Sequence, residues 1–249
     1  GRGRVAPSKD TLRTAQKIMN TDYLFERGKI ANIMGVNKNA IDFGKMDEKS
    51  KKSVYNGIKK VFAQFPELRG YTNKVLYDPD IKGYAMSKSM QGVLKIGSKF
   101  SNYKELKRRY DRDVRMQFHP AGTNADAIII HEMGHQLDGY LTQRSRRILD
   151  FRTLEPRRKR EVLQQLGYFD YIRSERVEWS RMGYKGRELN EALEFSKKEF
   201  ITKHISEYAN KNEREFFAEC FAEYLMSARP REAAKIFGEV LEKIMEGLR

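Results

Sequence analysis

His131-Glu132-Met133-Gly134-His135 is the stretch whose reading decides the rest of the chain. Helical residues four apart share one face, so both imidazoles can reach a single tetrahedral metal ion. Glu132 falls beside that metal, where its carboxylate can take a proton from a metal-activated water. The chain has four histidines, and this pentapeptide holds two of them. The pattern predicts one Zn2+ per chain, with His131 and His135 as ligands and Glu132 as general base.

Two histidines do not complete such a site, because catalytic zinc takes a third protein ligand and keeps one position open. In an HExxHxxGxxH arrangement, a glycine would stand at 138 and a histidine at 141. Those positions are Asp138 and Leu141. A later segment, Asn212-Glu213-Arg214-Glu215-Phe216-Phe217-Ala218-Glu219, offers carboxylates one helical turn apart, flanked by Phe216, Cys220 and Phe221. Carboxylates beside an apolar stripe are costly unless something cationic or hydrogen-bonding meets them. Glu215 is thus the candidate third ligand, and Glu219 the carboxylate that orients a ligating imidazole. The competing reading of Asn212-x-x-Glu215 is a capping box, in which Glu215 only satisfies helix N–H groups.

Around these motifs the chain predicts an α+β fold with a small mixed sheet and a mainly helical C-terminal half. Asp47 to Phe65 has helical periodicity through Val54, Ile58, Val61 and Phe62 and stops at Pro66. Asn73 to Tyr77, Tyr84 to Met86, Gly92 to Gly97 and Val114 to Phe118 read as short strands, with a basic helix over Ser101 to Tyr110. Thr123 or Asn124 caps the helix that carries the HExxH. The domain reading is a basic N-terminal arm over 1–45, containing a helix over Asp10 to Met19, then one domain over 46–249. A charged helical insertion occupies about 143–203.

Composition narrows the class. The 249 residues carry 39% hydrophobic and 33% charged side chains, which suits one sizeable helix-rich domain. No apolar run reaches the length of a membrane span, and no signal peptide is visible at Gly1-Arg2-Gly3-Arg4. The missing initiator Met fits a piece of a larger polypeptide, and the compartment stays open: cytoplasmic, virion-associated or exported. Cys220 is the only cysteine, which excludes an internal disulfide and reads as a small buried hydrophobe.

The net charge of +15 is concentrated early: residues 1–118 carry 26 Lys and Arg against 12 Asp and Glu. Such a surface is compatible with an acidic protein partner or with non-specific nucleic-acid binding. Arg157 to Arg160 reads as a solvated face or an exosite. His119 and His204 read as structural, with His204 as reserve oxyanion donor. Asp138 reads as either a support for an imidazole or an exposed carboxylate.

The HExxH with Tyr208, Glu215 and Glu219 downstream resembles the catalytic domain of the anthrax lethal factor family of zinc metallopeptidases. It is also similar to zincin-like domains of some phage head proteins and secreted toxins. The arrangement covers about residues 80 to 249 and is tight only in the two motifs. The resemblance implies that His131, His135 and Glu215 bind zinc, that Glu219 supports them, and that Tyr208 assists at the oxyanion. It further implies a zincin-like cleft in which a peptide pairs with an edge strand, for which Gly92, Val93, Leu94, Lys95 and Ile96 are the candidates.

The expected activity is therefore a zinc metalloendopeptidase acting on a protein or peptide substrate. Two alternatives stand beside it: a zinc-stabilised structural or interaction domain with vestigial activity, such as a phage particle component, and a polyanion-binding basic protein.

Overall fold

Capping and hydrophobic periodicity decide the elements that surround the motif helix. A computed structural model of the chain describes residues 27–145 and 154–248. The helix expected over Asp10 to Met19 lies outside the described residues. A helix, α1, runs through residues 27–34 and is followed by β1 (Ile41–Asp42). Asp47 accepts a hydrogen bond from the Ser50 amide and starts α2 (Glu48–Gln64), which Pro66 ends. Three strands follow: β2 (Lys74–Tyr77), β3 (Ala85–Lys88) and β4 (Val93–Ile96). Asn102 caps α3 (Tyr103–Arg115), and the motif helix α4 spans Ala127–Ser145. The remainder is helical: α5 (Leu154–Gln165), α6 (Tyr168–Arg181), α7 (Gly186–His204), α8 (Glu213–Met226) and α9 (Glu232–Glu246).

The molecule is thus α+β, mostly helical, with one four-stranded mixed sheet in the order β1-β2-β4-β3. β1, β2 and β4 run parallel, and β3 pairs antiparallel with β4, opposite Val93–Ile96. α4 lies against α2, α8 and β3, so its sequence is apolar on nearly every side, from Ala127, Ile129 and Ile130 to Met133, Leu137 and Leu141. Phe65, Phe100, Phe216 and Phe221 fill the centre.

Several expectations are corrected. The boundary at 45 does not hold, because Ile30, Met34, Ile41 and Phe43 are buried in the common core and β1 belongs to the sheet. Gly92 to Ile96 is an inner strand, its backbone engaged by β2 on one side and β3 on the other, so the free edge is β3. Gly92 itself turns the chain with φ +68°, where a Cβ would collide with the Tyr71 carbonyl oxygen. Val114 to Phe118 is no strand: α3 runs on to Arg115, and Gln117 reverses the chain with φ 61°. Basic side chains on α3 form exposed intrahelical pairs with Glu105 and Asp111.

Of the charged helical insertion expected over about 143–203, α5 packs against α8 and α9. α5 buries Val162 and Leu163, and Arg158 is buried with its guanidinium donating to Asp138 at 2.6 Å. Lys159 and Arg160 lie over the rings of Phe216 and Phe169. Within the Arg157 to Arg160 run, Arg158 is therefore an internal strut rather than part of a solvated face. α6 and α7 form an antiparallel hairpin in which Trp179 and Glu175 both bond the Ser196 hydroxyl. Among the described residues, no helix is long and apolar enough to cross a membrane.

Candidate metal centre

Glycine explains how two carboxylates reach two histidines. Gly134 stands between the motif histidines, where a Cβ would touch Ala218 at 3.2 Å and Phe221 at 3.0 Å. With hydrogen there instead, α8 lies close enough to α4 for its acidic face to meet the imidazoles. Asn212 caps α8 by accepting from the Glu215 amide at 2.9 Å. The Glu215 side chain does not complete a capping box but turns to the histidines, with its Oε2 3.0 Å from His131 Nε2 and 3.2 Å from His135 Nε2. One donor atom each from His131, His135 and Glu215 lie within 4.8 Å of one another, a cluster that can hold a metal ion.

Glu219 sits one turn further along α8 and is 1% exposed. Its Oε1 is 2.7 Å from His131 Nδ1, the nitrogen that faces away from Glu215. Its Oε2 accepts from the Ser206 hydroxyl at 2.7 Å and lies 3.4 Å from His119 Nδ1. This carboxylate fixes the His131 ring and thereby points Nε2 into the cluster. Burial opposes charge on Glu219, but bonds from His119 and His131 outweigh it and hold the carboxyl below its usual range. Burial likewise disfavours charge on His131, yet the Glu215 and Glu219 carboxylates overcome it and raise the imidazole to about 10. Glu215 is lowered by the same two histidines against the effect of its burial. Without a metal ion, the cluster is thus an ion-paired network holding a proton on His131.

Glu132 is 8% exposed and lines the cleft beside His131. Burial raises its pKa, while His131, His135 and the Ser87 backbone N–H pull the other way. Tyr208 sits in a short 3-10 turn, Tyr208–Asn210, where its hydroxyl donates to Glu215 Oε1 at 3.4 Å and accepts from Lys211 Nζ at 3.2 Å. Burial and the Glu215 charge both raise its pKa, so the phenol stays a donor at neutral pH. Tyr208 is held there by the turn after α3: Gln117 and Phe118 carbonyls accept from the Glu207 and Tyr208 amides at 2.8 and 3.2 Å. Arg231 secures the other side, with its guanidinium on the buried Glu223 carboxylate and on the Lys203 and Ile205 carbonyls.

The cleft has two lobes. One, about 320 Å3, lies along Met86 to Ser89, His135 and Arg214; the other, about 310 Å3, lies along Gly83, Tyr84 and α3. Ala85, His131, Glu132 and Tyr208 line both.

Of the residues singled out in the sequence, His131, Glu132, His135, Tyr208, Glu215 and Glu219 come together. Val93 to Ile96 lines neither lobe. His204 packs on Phe200 with ring centres 4.2 Å apart and also lines neither lobe. Asp138 pairs with Arg158 instead of an imidazole. Cys220 is buried, with its thiol pKa pushed up by that burial. His119 and Ser206 were not legible as site residues, since neither has a spacing relation to either motif. Gln136 was also missed: it is fully buried and donates to the Ser87 hydroxyl at 2.6 Å and the Val93 carbonyl at 3.2 Å, tying α4 to the sheet. Gly134 beside Ala218 is the one missed feature with a readable signal, two small residues facing each other on the helices that carry the motifs.

No protein-family model matches the chain, and no curated protein or solved structure matches it.

Proposed function

We propose that the chain is a zinc-dependent endopeptidase. The observation that carries this reading is the convergence of His131, His135 and Glu215 to within 4.8 Å, with Glu132 buried beside them. Two imidazole nitrogens and one carboxylate oxygen are the donor set of catalytic zinc and leave a position open for substrate. When bound, zinc supplies Lewis acidity, polarising a scissile carbonyl and making water a nucleophile at neutral pH.

The chain's own residues supply the rest. Glu132, whose burial gives its carboxylate a raised proton affinity, takes a proton from the attacking water and hands it to the leaving nitrogen. Tyr208 donates from its hydroxyl to the carbonyl oxygen as negative charge builds there, a contact stronger in the transition state than in the ground state. Glu219 keeps His131 in the tautomer that presents Nε2, with Ser206 and His119 holding the carboxylate in turn. An extended peptide pairs with the free edge of β3, and the Ala85 and Ser87 stretch brings it alongside Glu132.

The test joins metal analysis to cleavage of a broad peptide library. About one zinc per chain, cleavage that a chelator abolishes and zinc restores, and cut sites within rather than at the ends of peptides are expected. Stoichiometric zinc with no cleavage of any library member would replace the reading with that of a metal-stabilised structural domain.

A further inference from the structure

This inference rests on the peptidase reading and extends it to substrate choice. The lobe along Gly83, Tyr84 and α3 leads away from the histidines past a chain of rings. Tyr208 and His119 have ring centres 5.7 Å apart, His119 stacks on Tyr110 at 4.8 Å, and Tyr110 meets Tyr84 at 6.2 Å. Beyond the last ring, the Lys99 ammonium stands 4.7 Å over Tyr84. Lys99 is half-buried and makes no ion pair with a carboxylate among the described residues. Arg112 lines the same end and reaches Asp113 only at 3.3 Å, while Arg109 is engaged by Glu105 at 2.7 Å.

Three carboxylates also line this lobe, and each has a place. Glu219 is taken up by His131, His119 and Ser206. Asp113 accepts from the Tyr84 hydroxyl at 2.8 Å. Glu132 belongs to the end shared with the histidines. An anion entering past the rings therefore meets an unpaired ammonium and a loosely paired guanidinium. A charge-assisted hydrogen bond from the half-buried Lys99 ammonium is the contact such an anion would make.

The direction in which a peptide pairs with β3 decides which substrate residue enters. A peptide pairing antiparallel with β3, as β4 does on the other side, lays its N-terminal part along Ser87 and Ser89 and its C-terminal part along Gly83 to Ala85. The lobe at Gly83 to Ala85 then faces the residue just after the scissile bond. Of the two acidic side chains, glutamate reaches further along the lobe towards the cations than the shorter aspartate. We propose that this lobe selects a glutamate side chain on the residue immediately following the cut, with Lys99 as its charge partner and Arg112 assisting.

The test uses zinc-loaded protein and peptides differing only at that residue: Glu, Asp, Gln, Phe or Lys, with the cut mapped by mass spectrometry. Cleavage before Glu is expected to exceed cleavage before Gln by roughly tenfold. Lys99→Glu is expected to invert the ranking of Glu and Lys, and Arg112→Ala to weaken it by a smaller factor. Equal cleavage before Glu and Gln, a cut after the Glu, or an unchanged ranking in Lys99→Glu would overturn the proposal while leaving the peptidase reading in place. If no peptide is cut, the peptidase reading fails by itself. Fluorescence anisotropy of the same peptides on Glu132→Gln protein then decides the lobe: tighter binding of the Glu peptide, lost in Lys99→Glu, supports it, and indifference overturns it.

Discussion

The α4–α8 contact and the α6–α7 hairpin are both helix pairs rich in charge, and they use it in opposite ways. Between α4 and α8, Glu215 and Glu219 are withdrawn from water and every oxygen is matched to a histidine, a serine or a tyrosine. On α6 and α7, the ion pairs are intrahelical and exposed, such as Arg187 with Glu191, whose side chains are 92% and 63% exposed. α6 has no buried residue, and Met182 and Phe195 on this hairpin are 65% and 59% exposed. Charge removed from water must be matched atom by atom, whereas solvated charge only keeps a helix soluble. The contrast marks where the chain invests its chemistry.

The comparison predicts graded consequences of mutation. Glu219→Gln should be the severest change outside the ligands and Glu132: it removes the orienting carboxylate from His131. Zinc affinity is expected to fall roughly 10- to 100-fold, read by competition with a chromogenic chelator. An affinity within twofold of wild type would show that His131 is oriented by something else. Gly134→Ala comes next, because its Cβ must push Phe221 and Ala218 away. A stability loss of about 1–3 kcal/mol is expected in chemical denaturation, accompanied by weaker zinc binding. Loss of stability without any change in zinc affinity would detach the close packing from the metal site.

Protonation gives a third, pH-dependent consequence. His131 in the metal-free protein is raised from its ordinary 6.5 to about 10, so its contribution to stability is fully present below 6.5 and disappears as pH rises through about 10. Glu215 and Glu219 are lowered, so theirs is present above 4.5 and lost as pH falls. Melting of the chelated protein should thus be highest between about pH 4.5 and 6.5 as far as this cluster decides it. Zinc must displace the His131 proton, and its affinity should rise with pH across the neutral range, with proton release measurable by calorimetry in two buffers. A pH-independent affinity would contradict the ion-paired network. The smallest effect belongs to the hairpin: Arg187→Ala should leave the unfolding midpoint and zinc binding unchanged, and a clear shift would mean the hairpin is coupled to the cleft.

How much of this was legible depended on whether the signal was local. The HExxH is a local signal on one helix, the α2 span follows from its periodicity up to Pro66, and the Asn212-x-x-Glu215 pattern marks the start of α8. Glu215 and Glu219 were legible because paired carboxylates in an apolar helix need partners. Strand segments were legible, but their order was not: nothing local says that β4 inserts between β2 and β3, and this moved the free edge from Gly92–Ile96 to Ala85–Lys88. His119, Ser206 and Gln136 reach the centre through turns and sheet contacts set by the whole fold. Arg158 looked like part of a solvated run because its partner Asp138 is 20 residues away in sequence.

The most direct test of the central claim is a paired measurement on Glu132→Gln, which preserves the shape of the side chain and removes its basicity. Zinc should remain at about one per chain while the rate of peptide cleavage falls by roughly 10^2- to 10^4-fold. A variant that cleaves as fast as wild type, or a wild-type chain that retains no zinc after purification and reloading, would contradict the account.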